Sequence, residues 1–280
     1  MPVSYETFKR KHDFLVCVDS DGCAMDTMDI KHIRCFGPCM VAEWGLSEWE
    51  EPILARWNDI NLYSMTRGIN RFKGLSMALT EIDKQYTAIE GLADLQAWVV
   101  SGAAPSNDAI QKAIDETGSS ILKKALSWSK AVNSSIAELP EDEKRPFDGA
   151  KEGLAAAAQF ADVVMVSSAN YDAVAEEWTK YGLMDYVDVV MAQDKGSKAH
   201  CIGEMLRLGY EKDHVLMVGD APGDQDAAKQ NGVYYYPILV RHEKESWEEL
   251  VANGFERFKN LEYVPYGAER EQVFLRNLGA

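Results

Sequence analysis

Three carboxylates, Asp19, Asp21 and Asp26, follow directly on the apolar run Phe14–Val18. Like charges this close repel, and each costs free energy if desolvated without a partner. The cluster is therefore either a solvated turn or a site that holds a cation and does chemistry. Two more apolar runs end in a similar way. Residues 162–166 lead into Ser167 and Ser168, and residues 214–218 lead into Gly219-Asp220-Ala221-Pro222-Gly223-Asp224. A fourth run, 187–192, precedes Lys195 and Lys198. These residue types fit one reaction. Three carboxylates with water make an octahedral oxygen site suited to magnesium. A free carboxylate beside the ion can attack phosphorus. A second carboxylic acid two residues on can protonate the leaving oxygen and then deprotonate the incoming water. A lysine and a hydroxyl can hold the phosphoryl oxygens. The sum is phosphomonoester hydrolysis.

For that chemistry, parts distant in sequence must meet at one place. Short β-branched runs suit parallel strands buried on both faces. Helical patterns at 171–183, 199–208 and 224–231 stand between or after them and stop at Gly182, Gly209 and Gly232, a common helix-stop position. Residues 160–240 thus alternate strand and helix, the pattern of a doubly wound α/β sheet, in which ligands bind beyond the carboxyl ends of the strands. Each polar cluster named above lies at such an end. The aromatic run Tyr234-Tyr235-Tyr236 reads as a further core strand. Residues 29–155 instead carry apolar side chains at helical spacing, with turn signals at Gly68, Gly74, 102–105 and 140–146. The expected organisation is an α/β core of residues 1–28 and 156–280, a Rossmann-like three-layer sandwich on a parallel sheet, with a mainly helical cap domain at 29–155. Residues 241–280 read as helix and loop without evident chemistry.

The chain of 280 residues is 46% apolar, enough for a sizeable core, and carries a formal net charge of −16. That balance argues against nucleic acid and anionic membrane as partners. It leaves room for a small phosphorylated metabolite, because a bound metal and a few cations can reverse the local field. No segment approaches the ~20 apolar residues of a membrane span, and the N-terminal residues lack a signal-peptide core. A cytoplasmic protein with its five cysteines reduced is expected. Cys35 and Cys39 have no second ligand pair to complete a zinc site.

The ordered motifs resemble those of the haloacid dehalogenase (HAD) superfamily, in its phosphatase branch with a helical cap after the first core strand, the phosphoglycolate phosphatase-like members included. Residues 19–27, Asp-Ser-Asp-Gly-Cys-Ala-Met-Asp-Thr, resemble the family's DxDGTLxDT opening. Ser167 matches its second motif, and Gly219 to Asp224 its GDxxxD motif. The resemblance implies Asp19 as nucleophile and Asp21 as general acid/base. It implies a magnesium ion held by Asp19, the Asp21 carbonyl, Asp220 and Asp224, and Ser167 on the phosphoryl group. The lysine is left between two. Lys195 has the spacing of phosphoglycolate-phosphatase-like members, while Lys198 follows the Gly-Ser lead-in seen in others and is favoured. Cys23 and Ala24 depart from the motif's Thr and Leu, and Cys23 reads as packing. A second carboxylate at Asp21 favours phosphoryl over dehalogenase or phosphonatase chemistry. A sugar phosphomutase would use the same residues. A phosphoacceptor signalling module or an inert binding protein is a weaker alternative.

Fainter signals lie elsewhere. Arg67, Arg71 and Lys73 cluster between two glycines of the cap. They are read either as contacts to a substrate's distal anionic group or as a loop paired within the cap. Ser168 and Asn170 are candidate substrate contacts beside Ser167, and Asp26 is a candidate brace for the turn toward the cap.

Overall fold

The computed structural model describes residues 2–102 and 105–280. The chain begins with β1 (Phe14–Val18), a tight turn, the short β2 (Met25–Asp26) and α1 (Met28–Lys31). A π-helical stretch, His32–Phe36, leads into α2 (Gly37–Trp44) and then α3 (Glu50–Asn58), α4 (Arg71–Gln85), α5 (Leu92–Val99), α6 (Asn107–Thr117) and α7 (Ser120–Ala137). The chain returns through β3 (Arg145–Pro146) and α8 (Ala150–Ala157) to β4 (Ala161–Val166), α9 (Tyr171–Lys180), β5 (Val189–Met191), α10 (Lys198–Leu206), β6 (Val215–Gly219), α11 (Pro222–Asn231) and β7 (Tyr234–Pro237). It ends in α12 (Glu243–Glu249), α13 (Phe255–Lys259) and α14 (Tyr263–Asn277).

Five strands form one parallel sheet in the order β5-β4-β1-β6-β7. The most apolar runs occupy its centre: β4 and β6 are buried at every position, and β1 at all but Phe14. That is what a parallel sheet covered on both faces requires. Register then aligns the chemistry. Val18 pairs with Met165 on one side and Val218 on the other. Asp19 is thereby level with Val166 and Gly219, and Ser167 and Asp220 stand one residue further along.

The chain divides into two compact units, Met1–Met28 with Glu141–Ala280, and Asp29–Pro140. The second crossing thus falls at 140/141, earlier than the 155/156 expected. Two contacts explain the difference. β3 pairs antiparallel with β2, and Ala150, Leu154 and Ala157 of α8 join the apolar cluster that includes β1, β4 and Trp178. The helical unit has its own core, in which Phe36, Trp57, Phe72, Trp98 and Trp128 stack or meet edge-on.

One sequence reading changes here, and the C-terminal reading of helix and loop agrees with the structure. Gly74 sits inside α4 rather than in a turn. Its role is close approach, since a Cβ there would lie 2.5 Å from Asn61 Oδ1. The C-terminal forty residues form α12 to α14, and they bury Trp247, Phe258, Tyr263 and Phe274 against the α/β unit. The turn read at 102–105 includes residues 103 and 104, outside the described residues.

Candidate active site

β1 ends at Val18, and the Asp19 N–H still donates to Val218 O at 3.0 Å. This extends the sheet ladder one residue into the acidic turn. Gly22 turns the chain at φ 85°, where a side chain would be strained, and its N–H closes on Met25 O at 2.9 Å. Asp21, half-buried, accepts a 2.5 Å hydrogen bond from Thr27 Oγ1. That bond selects the Asp21 rotamer.

The third acidic motif is placed by α11. Asp224 occupies the third position of this helix and accepts from the Ala221 N–H at 3.1 Å. This binds one of the helix's orphan donors and sets a carboxylate at its positive end. The side chain folds back over the end of β6, and a Cβ on Gly219 would lie 2.4 Å from Asp224 Cγ. Glycine at 219 is therefore a condition of the site. Asp19, Asp220 and Asp224 are all buried, and one carboxylate oxygen of each lies within 4.8 Å of the others.

Lys198 opens α10 behind Ser197, whose hydroxyl accepts from the His200 N–H at 3.2 Å. Gly196 makes the approach possible with φ 105° and ψ −157°, a region nearly confined to glycine. Lys198 Nζ reaches Asp19 Oδ2 at 2.8 Å and Asp224 Oδ1 at 2.6 Å. Lys195 is elsewhere: it pairs with Glu6 at 3.4 Å and lies 3.7 Å from Asp194, with its side chain 36% exposed.

Burial raises the Asp19 carboxyl well above the usual range; Lys198 opposes this, while Asp224 and Asp220 add to it. Burial alone would lower the Lys198 ammonium, but Asp19 and Asp224 outweigh it and raise it. The lysine therefore stays charged. Burial, then Asp220, Asp19 and Asp224, also push the Cys23 thiol up, and it donates weakly to Val218 O. Cys23 remains a protonated packing group, since the thiolate is the reactive form. All five cysteines are free thiols.

The donor set fits a divalent metal. Three buried carboxylates converge with one lysine ammonium bridging two of them. Hard anionic oxygens in this number suit a hard cation, which would offset the remaining repulsion.

Ser167 is buried at the end of β4, with its N–H on Met191 O at 3.0 Å and its Oγ accepting from the Ala169 N–H at 3.1 Å. Ser168 is exposed. Asn170 is exposed and caps α9, accepting from the Asp172 N–H at 3.0 Å. Asp26 lies in β2 opposite Arg145. In the helical unit, Arg67 is buried and donates to Leu62 O at 2.7 Å, 4.0 Å from Asp29. Arg71 donates to Asn133 Oδ1 at 2.7 Å and Ser129 Oγ at 3.0 Å and lies over the Phe36 ring. Lys73 is exposed.

Sequence reasoning missed the buried aromatic donors around the acidic turns: Trp178 on Ser20 Oγ at 2.9 Å, Trp247 on Cys23 O at 3.0 Å and Tyr235 on Gly219 O at 3.0 Å. Their partners are 16 to 224 residues away. No local spacing could have signalled them.

The model of haloacid dehalogenase-like hydrolases matches residues 95–237, about half of the chain, and the chain belongs to that family. The match takes in Ser167, Lys198, Asp220 and Asp224. The fold is similar to that of a Thermotoga maritima protein provisionally assigned as a beta-phosphoglucomutase, at 15% identity and TM-score 0.52, over 87% of this chain and 99% of that one. It is also similar to a provisionally assigned haloacid dehalogenase-like hydrolase from Bacteroides fragilis, at 12% identity and TM-score 0.51, over 84% and 93%. A third similar structure, from Lactobacillus delbrueckii subsp. bulgaricus, is provisionally assigned as a phosphoglycolate phosphatase, at 13% identity and TM-score 0.50, over 80% and 85%. These identities establish the fold alone. A search of curated proteins found no match. Among the described residues, no helix is long and apolar enough to cross a membrane.

Proposed function

We propose that the protein is a magnesium-dependent phosphatase of a small phosphorylated metabolite, acting through an aspartyl phosphate on Asp19. The observation that carries this reading is the Lys198 bridge between buried Asp19 and Asp224, with Asp220 beside them and Asp21 two residues beyond. Family membership supports a hydrolase.

Asp19 Oδ attacks phosphorus, and the bond to the leaving alkoxide breaks. Asp21, held by Thr27, gives its proton to that oxygen. Asp21 then takes a proton from water, which attacks phosphorus and releases phosphate and the Asp19 carboxylate. Lys198 stays an ammonium throughout and screens the phosphoryl oxygens. The buried Ser167 hydroxyl is assigned to the phosphoryl group. Asp19, Asp220, Asp224 and the Asp21 carbonyl would hold magnesium, which supplies charge neutralisation at the phosphoryl group.

The test is a panel of phosphomonoesters assayed for free phosphate with Mg2+ and with chelator. Release that needs Mg2+ is expected. Isomerisation of a sugar phosphate without release would replace the phosphatase with a phosphomutase. A stable phosphoprotein without turnover would point to a signalling module.

A further inference from the structure

We propose that Tyr235 is a positioning residue for the metal site, aiming Asp220 through the carbonyl of Gly219. The proposal rests on the reading of Asp220 as a metal ligand. Gly219 is the last residue of β6 and stands opposite Pro237 of β7. Its carbonyl accepts an ordinary sheet bond from the Ile238 N–H at 2.8 Å. It accepts a second bond from the Tyr235 phenol at 3.0 Å, which the sheet does not require. Two donors on one carbonyl occupy both lone pairs and fix the plane of the peptide joining Gly219 to Asp220. The Asp220 backbone, and with it the direction of its carboxylate, follows from that plane.

Tyr235 is 2% exposed, and its ring meets Phe274 edge-on at 5.6 Å, so the hydroxyl has little freedom to leave. The other acidic turn is held in the same manner. Trp178 of α9 donates to Ser20 Oγ and Trp247 of α12 donates to Cys23 O, each from a buried ring. Three elements thus each spend one aromatic donor on a turn that carries candidate ligands. Metal sites depend on such outer partners, and losing one typically weakens metal binding 10–100-fold.

The neighbouring tyrosine supplies the control. Tyr236 is equally buried and donates its phenol to Ser246 O at 2.8 Å, but from the opposite face of the strand. Tyr235→Phe and Tyr236→Phe each remove a buried phenol donor, and only the first removes a donor from the Gly219 carbonyl. The experiment is calorimetric titration of Mg2+ into metal-free wild type and both variants, with fold content checked by circular dichroism. The expected result is about 10-fold weaker Mg2+ binding by Tyr235→Phe and wild-type affinity for Tyr236→Phe. Wild-type affinity in Tyr235→Phe, or equal weakening in both variants, would overturn the proposal. If Tyr235→Phe does not fold, Phe274→Leu, which loosens the packing of the Tyr235 ring, is titrated instead. Weakened binding there supports Tyr235 as a positioning residue, and wild-type affinity overturns it. A wild-type protein that binds no Mg2+ would sink the metal site itself, a failure distinct from that of Tyr235.

Discussion

At the residue scale the site is a contest of charges. Asp19, Asp220 and Asp224 share a buried volume, and Lys198 lies between two of them. Lys198→Ala should therefore lower turnover on the order of 10²–10³-fold, the usual cost of losing one preorganised electrostatic donor. Lys195→Ala should leave turnover near wild type, because that lysine pairs with Glu6. Steady-state phosphate release from both variants checks the contrast. Gly219→Ala would press a methyl into Asp224 at 2.4 Å. Its expected cost is about 1–3 kcal/mol of overpacking, together with weaker Mg2+ binding. Thermal melts and Mg2+ titration measure the two parts. Much of this was legible in the sequence, because Asp19, Asp21, Asp220 and Asp224 sit in short local motifs. The choice of lysine was less so. Lys195 and Lys198 are three residues apart and both follow β5, and only the Gly196 turn and the start of α10 decide which one points inward.

At the element scale, the three central strands were read most closely, while β5 is shorter than the run 187–192 read for it. β1 was found at its observed bounds, and β4 and β6 within one residue, since a fully buried apolar run has sharp polar edges. Gly74 misled, because a glycine placed for close packing looks in sequence like a glycine placed for a turn. The helical unit offers its own test. Arg56 of α3 makes a bidentate bond to Glu81 of α4, at 2.7 and 2.9 Å. That bond, with the nearby charge of Arg56, holds the Glu81 carboxyl below its usual value against the opposing effect of burial. The sign follows. A lowered folded pKa gives stability that is present above the unfolded value of about 4.3 and is lost as pH falls through the folded value. Both side chains are partly exposed, so screening keeps the size near 0.5 kcal/mol. Glu81→Gln should be less stable than wild type by about that amount at pH 7, and equal to it near pH 2. Denaturant unfolding at the two pH values reads the difference.

At the scale of the whole molecule, the two units have separate apolar clusters. Separate cores allow local stability to respond separately. Mg2+ should slow hydrogen exchange at residues 19–23 and 219–224 and leave α4 and α7 unchanged. Gains spread across the helical unit would contradict this. The alternation of strand and helix made the α/β core readable from sequence, whereas the far-reaching bonds of Trp247 and Tyr235 had no local pattern to announce them. The central claim is that Asp19 carries the phosphoryl group. Its most direct test is Mg2+-dependent phosphate release from p-nitrophenyl phosphate by wild type and Asp19→Asn, matched for fold content. The account predicts release by wild type and a loss on the order of 10³-fold or more in the variant. Release by Asp19→Asn at a near wild-type rate would contradict it.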